Sequence, residues 1–315
     1  MTRLVAVTGA TGFIGRVLLR HLSGKGWKIR ALTRGRASPP FVHPDVEWIV
    51  GDLNDIEALQ KLVASADSVV HCAGAVKGKS WDNFLSSNVT GTRHLLQVIA
   101  ETDSCARLLY ISSLAARQPQ LSWYAQSKLD AEQLFPNVAD RLAVTVYRPA
   151  AVYGPGDKAL TPLLQAMRYG VLPALGPADN RFGLIHVNDL VAAVICWLDT
   201  EEPVSGIYEI DDGTPGGYDY ASIASIAQKV LGRSVRYVRI PLTGLTALAK
   251  LNLWLASFVG YAPMLTPGKV RELQYPDWTC DITALKKVLT GWHPEIQLHT
   301  ALPALINSDL SETCI

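Results

Sequence analysis

Tyr124 and Lys128 stand four residues apart in a segment, 122–135, whose spacing predicts a helix. Side chains four apart share one helix face, so the ammonium is expected to favour the phenolate and lower the phenol pKa from about 10. Such a phenol could exchange a proton with a carbinol or carbonyl oxygen while a serine hydroxyl holds that oxygen. Ser112 and Ser113, at the end of a predicted strand, are the candidates for that hydroxyl. A Tyr and Lys at this spacing are by themselves a common surface pattern. Their place after a strand carrying two serines, and beyond a glycine-rich turn, is what points to chemistry.

That turn is Gly9-Ala10-Thr11-Gly12-Phe13-Ile14-Gly15, which follows a predicted strand and opens a predicted helix. Three glycines so spaced permit a tight turn, a close backbone approach to pyrophosphate and close packing of helix on strand. The helix N-terminus adds free N–H groups and partial positive charge. At the end of the second strand, where NAD binders place an acid on the ribose hydroxyl, the chain has Thr33-Arg34, with Arg36 close behind. A guanidinium without an acid suits a 2′-phosphate, so NADP is expected ahead of NAD. Asp52-Leu53 could contact the adenine, although a plain N-cap region explains Asp52 as well.

Elements able to hold these residues alternate along the first half of the chain. Strands are expected at 4–8, 28–33, 47–50, 68–72, 107–112 and 143–147, with helices at 13–23, 55–64, 81–101 and 122–135. This alternation predicts an α/β fold, a Rossmann-type doubly wound parallel sheet with a smaller mixed α/β C-terminal substrate lobe. The dinucleotide-binding domain is expected at 1–150 plus about 184–200, and the lobe at 151–183 and 201–315. In the second half, 183–187, 206–210 and 235–240 read as strands and 222–231 as a helix. Asn188 is the expected N-cap of a helix at 189–198.

With 315 residues, 49% apolar and 18% charged, the chain can bury a real core, which excludes disorder. A net charge of +1 argues against nucleic-acid binding driven by bulk charge. Five scattered cysteines, with no Cys/His cluster at metal spacing, suggest neither a disulfide framework nor a metal site. They fit a reducing cytosol, and the opening MTRLVAVT is too short an apolar run for a signal peptide.

Together with His71-Cys72-Ala73-Gly74, the run opening at Asn88, Tyr110-Ile111-Ser112-Ser113 and Tyr147-Arg148-Pro149, these motifs resemble the extended short-chain dehydrogenase/reductase superfamily, including its NAD-dependent epimerase/dehydratase branch. The resemblance runs over most of the chain. It implies Tyr124 as general acid/base, Lys128 as the residue that tunes it and holds the nicotinamide ribose, and Ser113 as the hydroxyl that orients the substrate oxygen. It adds Ala73, Gly74, Asn88, Pro149 and Val152 to the cofactor site, and Tyr153, Arg181 and His186 to the substrate pocket. It also implies a homodimer packed through 81–101 and 122–135.

The residues 112–116, SSLAA, lack the carboxylate pair that sugar-nucleotide dehydratases carry there. The second arginine of the sugar-nucleotide epimerases is replaced by 274–277, with Arg271 upstream. The closing run 278–294 is more similar to dihydroflavonol reductases and 3β-hydroxysteroid dehydrogenases, whose substrates are apolar. The expected function is therefore hydride transfer between a nicotinamide cofactor and an alcohol or ketone carbon of a small, apolar molecule. The alternatives are a nucleotide-sugar epimerase with tightly bound NAD and, third, a non-catalytic nucleotide-sensing protein. Residues 241–264 are apolar nearly all round a helix, with Lys250 the one charge. Three roles fit that composition: a helix packed under the lobe, a lid over an apolar substrate, or a peripheral membrane contact.

Overall fold

Runs such as Ser68–His71 and Arg107–Ile111 carry no alternating polar face, because helices cover both sides of them. The computed structural model describes residues 3–35, 41–102, 105–202 and 204–307. Its first half runs β1 (Arg3–Thr8), α1 (Phe13–Leu22), β2 (Trp27–Thr33), β3 (Val46–Val50), α2 (Ile56–Val63), β4 (Ser68–His71), α3 (Trp81–Phe84), a π-helical stretch (Leu85–Thr90), α4 (Gly91–Ala100), β5 (Arg107–Ile111), α5 (Trp123–Glu132) and β6 (Ala143–Pro149). The second half runs β7 (Ala151–Tyr153), α6 (Thr161–Gln165), β8 (Val171–Ala174), β9 (Arg181–Phe182), β10 (Leu184–His186), α7 (Val187–Asp199), β11 (Gly206–Ile210), α8 (Tyr220–Leu231), β12 (Arg236–Arg239), α9 (Leu242–Val259), α10 (Pro267–Gln274), β13 (Asp277–Trp278), α11 (Thr283–Val288) and α12 (Leu298–Asn307).

Seven strands form one parallel sheet in the order β11-β6-β5-β4-β1-β2-β3. On one face Leu18, Leu22, Leu190 and Trp197 of α1 and α7 bury Val5, Val7 and Leu109. On the other, Leu59, Leu62, Leu95 and Ile99 of α2 and α4 bury Ala6, Val69 and Leu108. Arg107 ties β5 to the end of α7 by donating to the Trp197, Leu198 and Thr200 carbonyls at 3.2, 2.6 and 2.9 Å. These carbonyls lie at the α7 C-terminus, where a cation is favoured. The smaller lobe packs α6, α8 and α12 around Leu164, Met167, Tyr218 and Leu302, stiffened by the short parallel pairs β8–β12 and β9–β13.

Three expectations are corrected. The strand Gly206–Ile210, grouped by sequence with the lobe, is the edge strand of the large sheet, because its backbone pairs in parallel with β6. Helix α7 is capped by His186, whose Nδ1 accepts from the Asn188 N–H at 3.2 Å, and not by Asn188. The apolar segment 241–264 is not buried beneath the lobe. Only Leu245, Ala249 and Ala256 of α9 are buried, the first two against Val270 of α10, while Trp254, Phe258 and Val259 are 58, 72 and 74% exposed.

Candidate active site

In a parallel sheet every strand delivers its following loop to the same edge, and the expected cofactor residues collect there. Gly9 follows β1 at φ +69°, and a Cβ on it would lie 2.5 Å from the Ala73 nitrogen after β4. A Cβ on Gly15 would lie 2.2 Å from the Gly9 oxygen, so α1 approaches its strand as closely as backbone allows. Gly12 caps α1 without a side chain, and no acid stands in the first turn. The Gly12 N–H is taken by the Gly9 carbonyl at 2.9 Å, and the remaining N–H groups of the first turn of α1 are offered to an anion with no carboxylate in that turn against it, which fits a pyrophosphate. Ile14 is partly buried and packs against the core on the α1–α7 side of the sheet.

Thr33 is buried at the end of β2, and the exposed Arg34 lines a cleft of about 350 Å³ with Val50, Gly51, Asp52 and Asp55. Among the described residues Arg34 joins no salt bridge. Asp52 accepts from the Asn54 N–H at 2.7 Å, and Leu53 packs against Gly91. Arg36 lies outside the described residues.

Beside the glycine turn, Ser122 caps α5 by accepting from the Ala125 N–H at 3.0 Å, which starts the helix one residue before Tyr124. Ser113 caps the turn after β5, accepting from the Ala115 N–H at 3.2 Å, and its hydroxyl stands close enough to the Tyr124 phenol to favour the phenolate. Ser112 is engaged elsewhere. Its hydroxyl donates to Glu132, which also holds Arg148 in a part-buried bidentate pair. Lys128 is buried and donates to the Ile111 carbonyl at 2.9 Å and the Tyr110 hydroxyl at 3.2 Å, with its ammonium 4.7 Å from the Tyr110 ring centre. Asn88, in the π-helical stretch, accepts from the Ala75 N–H at 2.6 Å and donates to the Ser127 hydroxyl at 2.8 Å, joining the loop after β4 to α5. A Cβ on Gly74 would lie 3.0 Å from Asn88 Oδ1 and 3.3 Å from Lys128 Nζ.

Electrostatically the pair departs from the simple helix-face expectation. Burial pushes the Tyr124 phenol up to about 12, opposed by the Ser113 hydroxyl and reinforced by the Glu272 carboxylate. Burial also lowers Lys128 to about 8, against the pull of Glu132. Loss of water outweighs the charge of a neighbour one turn away, and the Lys128 ammonium is turned onto a carbonyl and Tyr110.

The expected pocket residues have other engagements. Tyr153 is fully buried in the lobe core, with its hydroxyl on the Ile296 carbonyl. His186 is a buried helix cap, edge-on to Tyr153 at 5.3 Å, and burial lowers its pKa to about 4. Arg181 pairs with Asp219 at 3.5 Å. Pro149 ends β6, and Val152 sits on β7 opposite Ile185. Sequence reasoning missed Tyr110, Glu132 and Glu272, which surround the Tyr and Lys. It also missed a groove of about 530 Å³ between α9 and α10, walled by Leu121, Leu242, Val270, Tyr275 and Pro276. Only Tyr110 had a sequence signal, since strand alternation places it on the same face as Ser112.

Comparison with known proteins agrees with this geometry. Residues 5–211 match the NAD dependent epimerase/dehydratase family. A ceramide reductase of Caulobacter vibrioides is 39% identical over 279 residues, 88% of this chain and 86% of the relative. A putative dihydroflavonol 4-reductase of Synechocystis is 30% identical over 61% of this chain and 62% of its own. Among solved structures, MoeE5 in complex with UDP-glucuronic acid and NAD superposes with a TM-score of 0.72 at 22% identity, covering 96% of this chain and 97% of that one. The UDP-glucuronic acid 4-epimerase of Bacillus cereus gives 0.74 at 18% identity, covering 96 and 98%. The glycine turn at β1, the serine after β5 and the Tyr-Lys helix face thus occupy a shared sheet edge, and the chain belongs to the NAD-dependent epimerase/dehydratase family of the extended short-chain dehydrogenase/reductases.

Proposed function

We propose that this oxidoreductase uses NADPH to reduce a ketone on a long-chain, lipid-like substrate. The observation that carries the reading is the convergence of Ser113, Tyr124 and Lys128 beside an apolar groove whose wall includes Leu121, three residues before Tyr124. When bound, the dihydronicotinamide supplies the hydride that reaches the carbonyl carbon. Ser113 holds the carbonyl oxygen, and the Tyr124 hydroxyl gives that oxygen its proton, leaving a phenolate that the Lys128 ammonium stabilises. A phenol held protonated at about 12 is a suitable acid for this direction. Arg34, exposed at the end of β2 and in no salt bridge among the described residues, supports the 2′-phosphate of NADPH. The ceramide reductase similarity supports the long-chain substrate. The engagement of Arg181 with Asp219, and of Arg271 with the Leu121 carbonyl at 2.8 Å, weighs against a sugar-nucleotide pyrophosphate.

Tyr124→Phe is expected to bind NADPH as the unaltered protein does, by calorimetric titration, and to lose at least ~100-fold in NADPH oxidation with a long-chain keto-amide. Turnover within a few-fold of normal would refute the assignment. Tight, inseparable NAD with a response to UDP-sugars alone would replace it by the epimerase reading.

A further inference from the structure

Helix α9 carries two apolar stripes. One, through Leu245 and Ala249, packs on Val270 of α10, with Ala256 also buried on that side. The other runs through Leu248, Leu251, Leu255 and Phe258, spaced three or four residues apart on the outer face, and all four are exposed. Trp254 stacks edge-on against Phe258 at 4.8 Å, and Tyr237, Val238 and Ile240 extend the exposed apolar surface along β12 into the helix start. An apolar area of this extent is unusual on a solvated protein and marks a contact surface.

The charge around it identifies the contact. Residues 220–271 contain no Asp or Glu but carry Lys229, Arg233, Arg236, Arg239, Lys250, Lys269 and Arg271. This stretch holds a charge of +7 in a chain whose total is +1. Arg233, Arg236, Arg239 and Lys250 are exposed, and among the described residues none of them joins a salt bridge. A second copy of this chain would oppose these cations with its own. A complete crossing of a bilayer would strip the inner stripe from α10 and bury Lys250.

We propose that the outer face of α9, together with β12, docks on the surface of a bilayer containing anionic lipids, with Trp254 and Phe258 in the headgroup layer and Arg236 and Arg239 against lipid phosphates. The groove shares α9 as a wall through Leu242, Thr246 and Lys250. A long-chain ketone leaving the bilayer would enter it directly, a step that rests on the reductase reading.

The test is flotation of the full chain with phosphatidylcholine vesicles, with and without phosphatidylglycerol, in the absence of cofactor and substrate. The protein is expected to float only with phosphatidylglycerol and to be released by high salt. W254S/F258S and R236E/R239E should each weaken binding at least ~10-fold while retaining the unaltered melting temperature and turnover of a short, water-soluble ketone. The proposal is overturned if the unaltered protein does not float, or if W254S/F258S floats equally well. It is also overturned if W254S/F258S converts a dimer to monomer by light scattering while vesicle binding is absent, because a second copy then covers the face. Y124F should float normally while inactive, so failure of docking and failure of the reductase reading are separately visible.

Discussion

Replacing Lys128 by Met is expected to stabilise the protein while abolishing its chemistry. Burial lowers the ammonium from 10.5 to about 8, a difference worth about 3 kcal/mol at neutral pH against the folded state. Met has similar length and no charge, so it removes this cost. It also removes the hydrogen bonds to the Ile111 carbonyl and the Tyr110 hydroxyl, worth about 1 kcal/mol each. The variant should therefore be more stable by about 1 kcal/mol at pH ~7. Between pH ~8 and ~10.5 the unfolded chain keeps a proton that folded Lys128 has released, so stability rises with pH through this window. By pH ~10 most of the cost is gone, and the unaltered protein should be the more stable of the two by about 1 kcal/mol. His71 and Cys72, which feel the Lys128 charge, are held by burial at about 3 and about 12, outside this window, and groups remote from Lys128 cancel in the difference. Urea unfolding followed by circular dichroism at both pH values reads the inversion. A stability gap that is independent of pH, or a variant that loses ground at neutral pH and recovers in alkali, would refute the reasoning.

Gly15→Ala is expected to weaken NADPH binding at least ~100-fold by calorimetry and to destabilise by about 2 kcal/mol, because its Cβ would meet the Gly9 oxygen at 2.2 Å. Glu132→Ala should cost about 3 kcal/mol in urea unfolding, since it strands the part-buried Arg148 and the buried Ser112, and Glu132→Gln should recover part of that. Arg34→Glu should weaken NADPH ~10–100-fold while leaving NADH affinity within a few-fold, as measured by parallel titration. Equal loss for both cofactors would place the arginine away from the 2′-phosphate.

The parallel sheet and its glycine turn were legible because both rest on local signals. Unbroken apolar runs such as 108–111 imply cover on both faces, and a glycine spacing after a strand implies a tight turn into a helix. The bringing together of Ser113, Tyr124 and Lys128 was legible for the same reason, each lying at a strand end or on one helix face. What depends on partners distant in sequence was not legible. Glu272 reaches Ser122 across 150 residues, and Gly206–Ile210 finds its place only by pairing with β6. The lowered phenol pKa expected for Tyr124 failed because spacing reveals the neighbouring charge and not the water lost on burial. Composition likewise could not separate a core helix from α9, since both are apolar all round.

The π-helical stretch at Leu85–Thr90 has a bearing on which changes of length this chain can accept. Its wider turn takes up one residue more than an α-turn, and one residue corresponds to about 100° of rotation about the helix axis. The surplus residue sets the angular offset between α3, whose Phe84 ring lies 6.3 Å from that of Tyr124, and α4, whose Leu95 and Ile99 lock into the sheet. Deleting Val89 or Thr90 would swing both Phe84 and Asn88 off the Tyr-Lys helix while leaving α4 in place. Substitutions in this stretch are therefore matters of degree, whereas a change in its count is a change of phase.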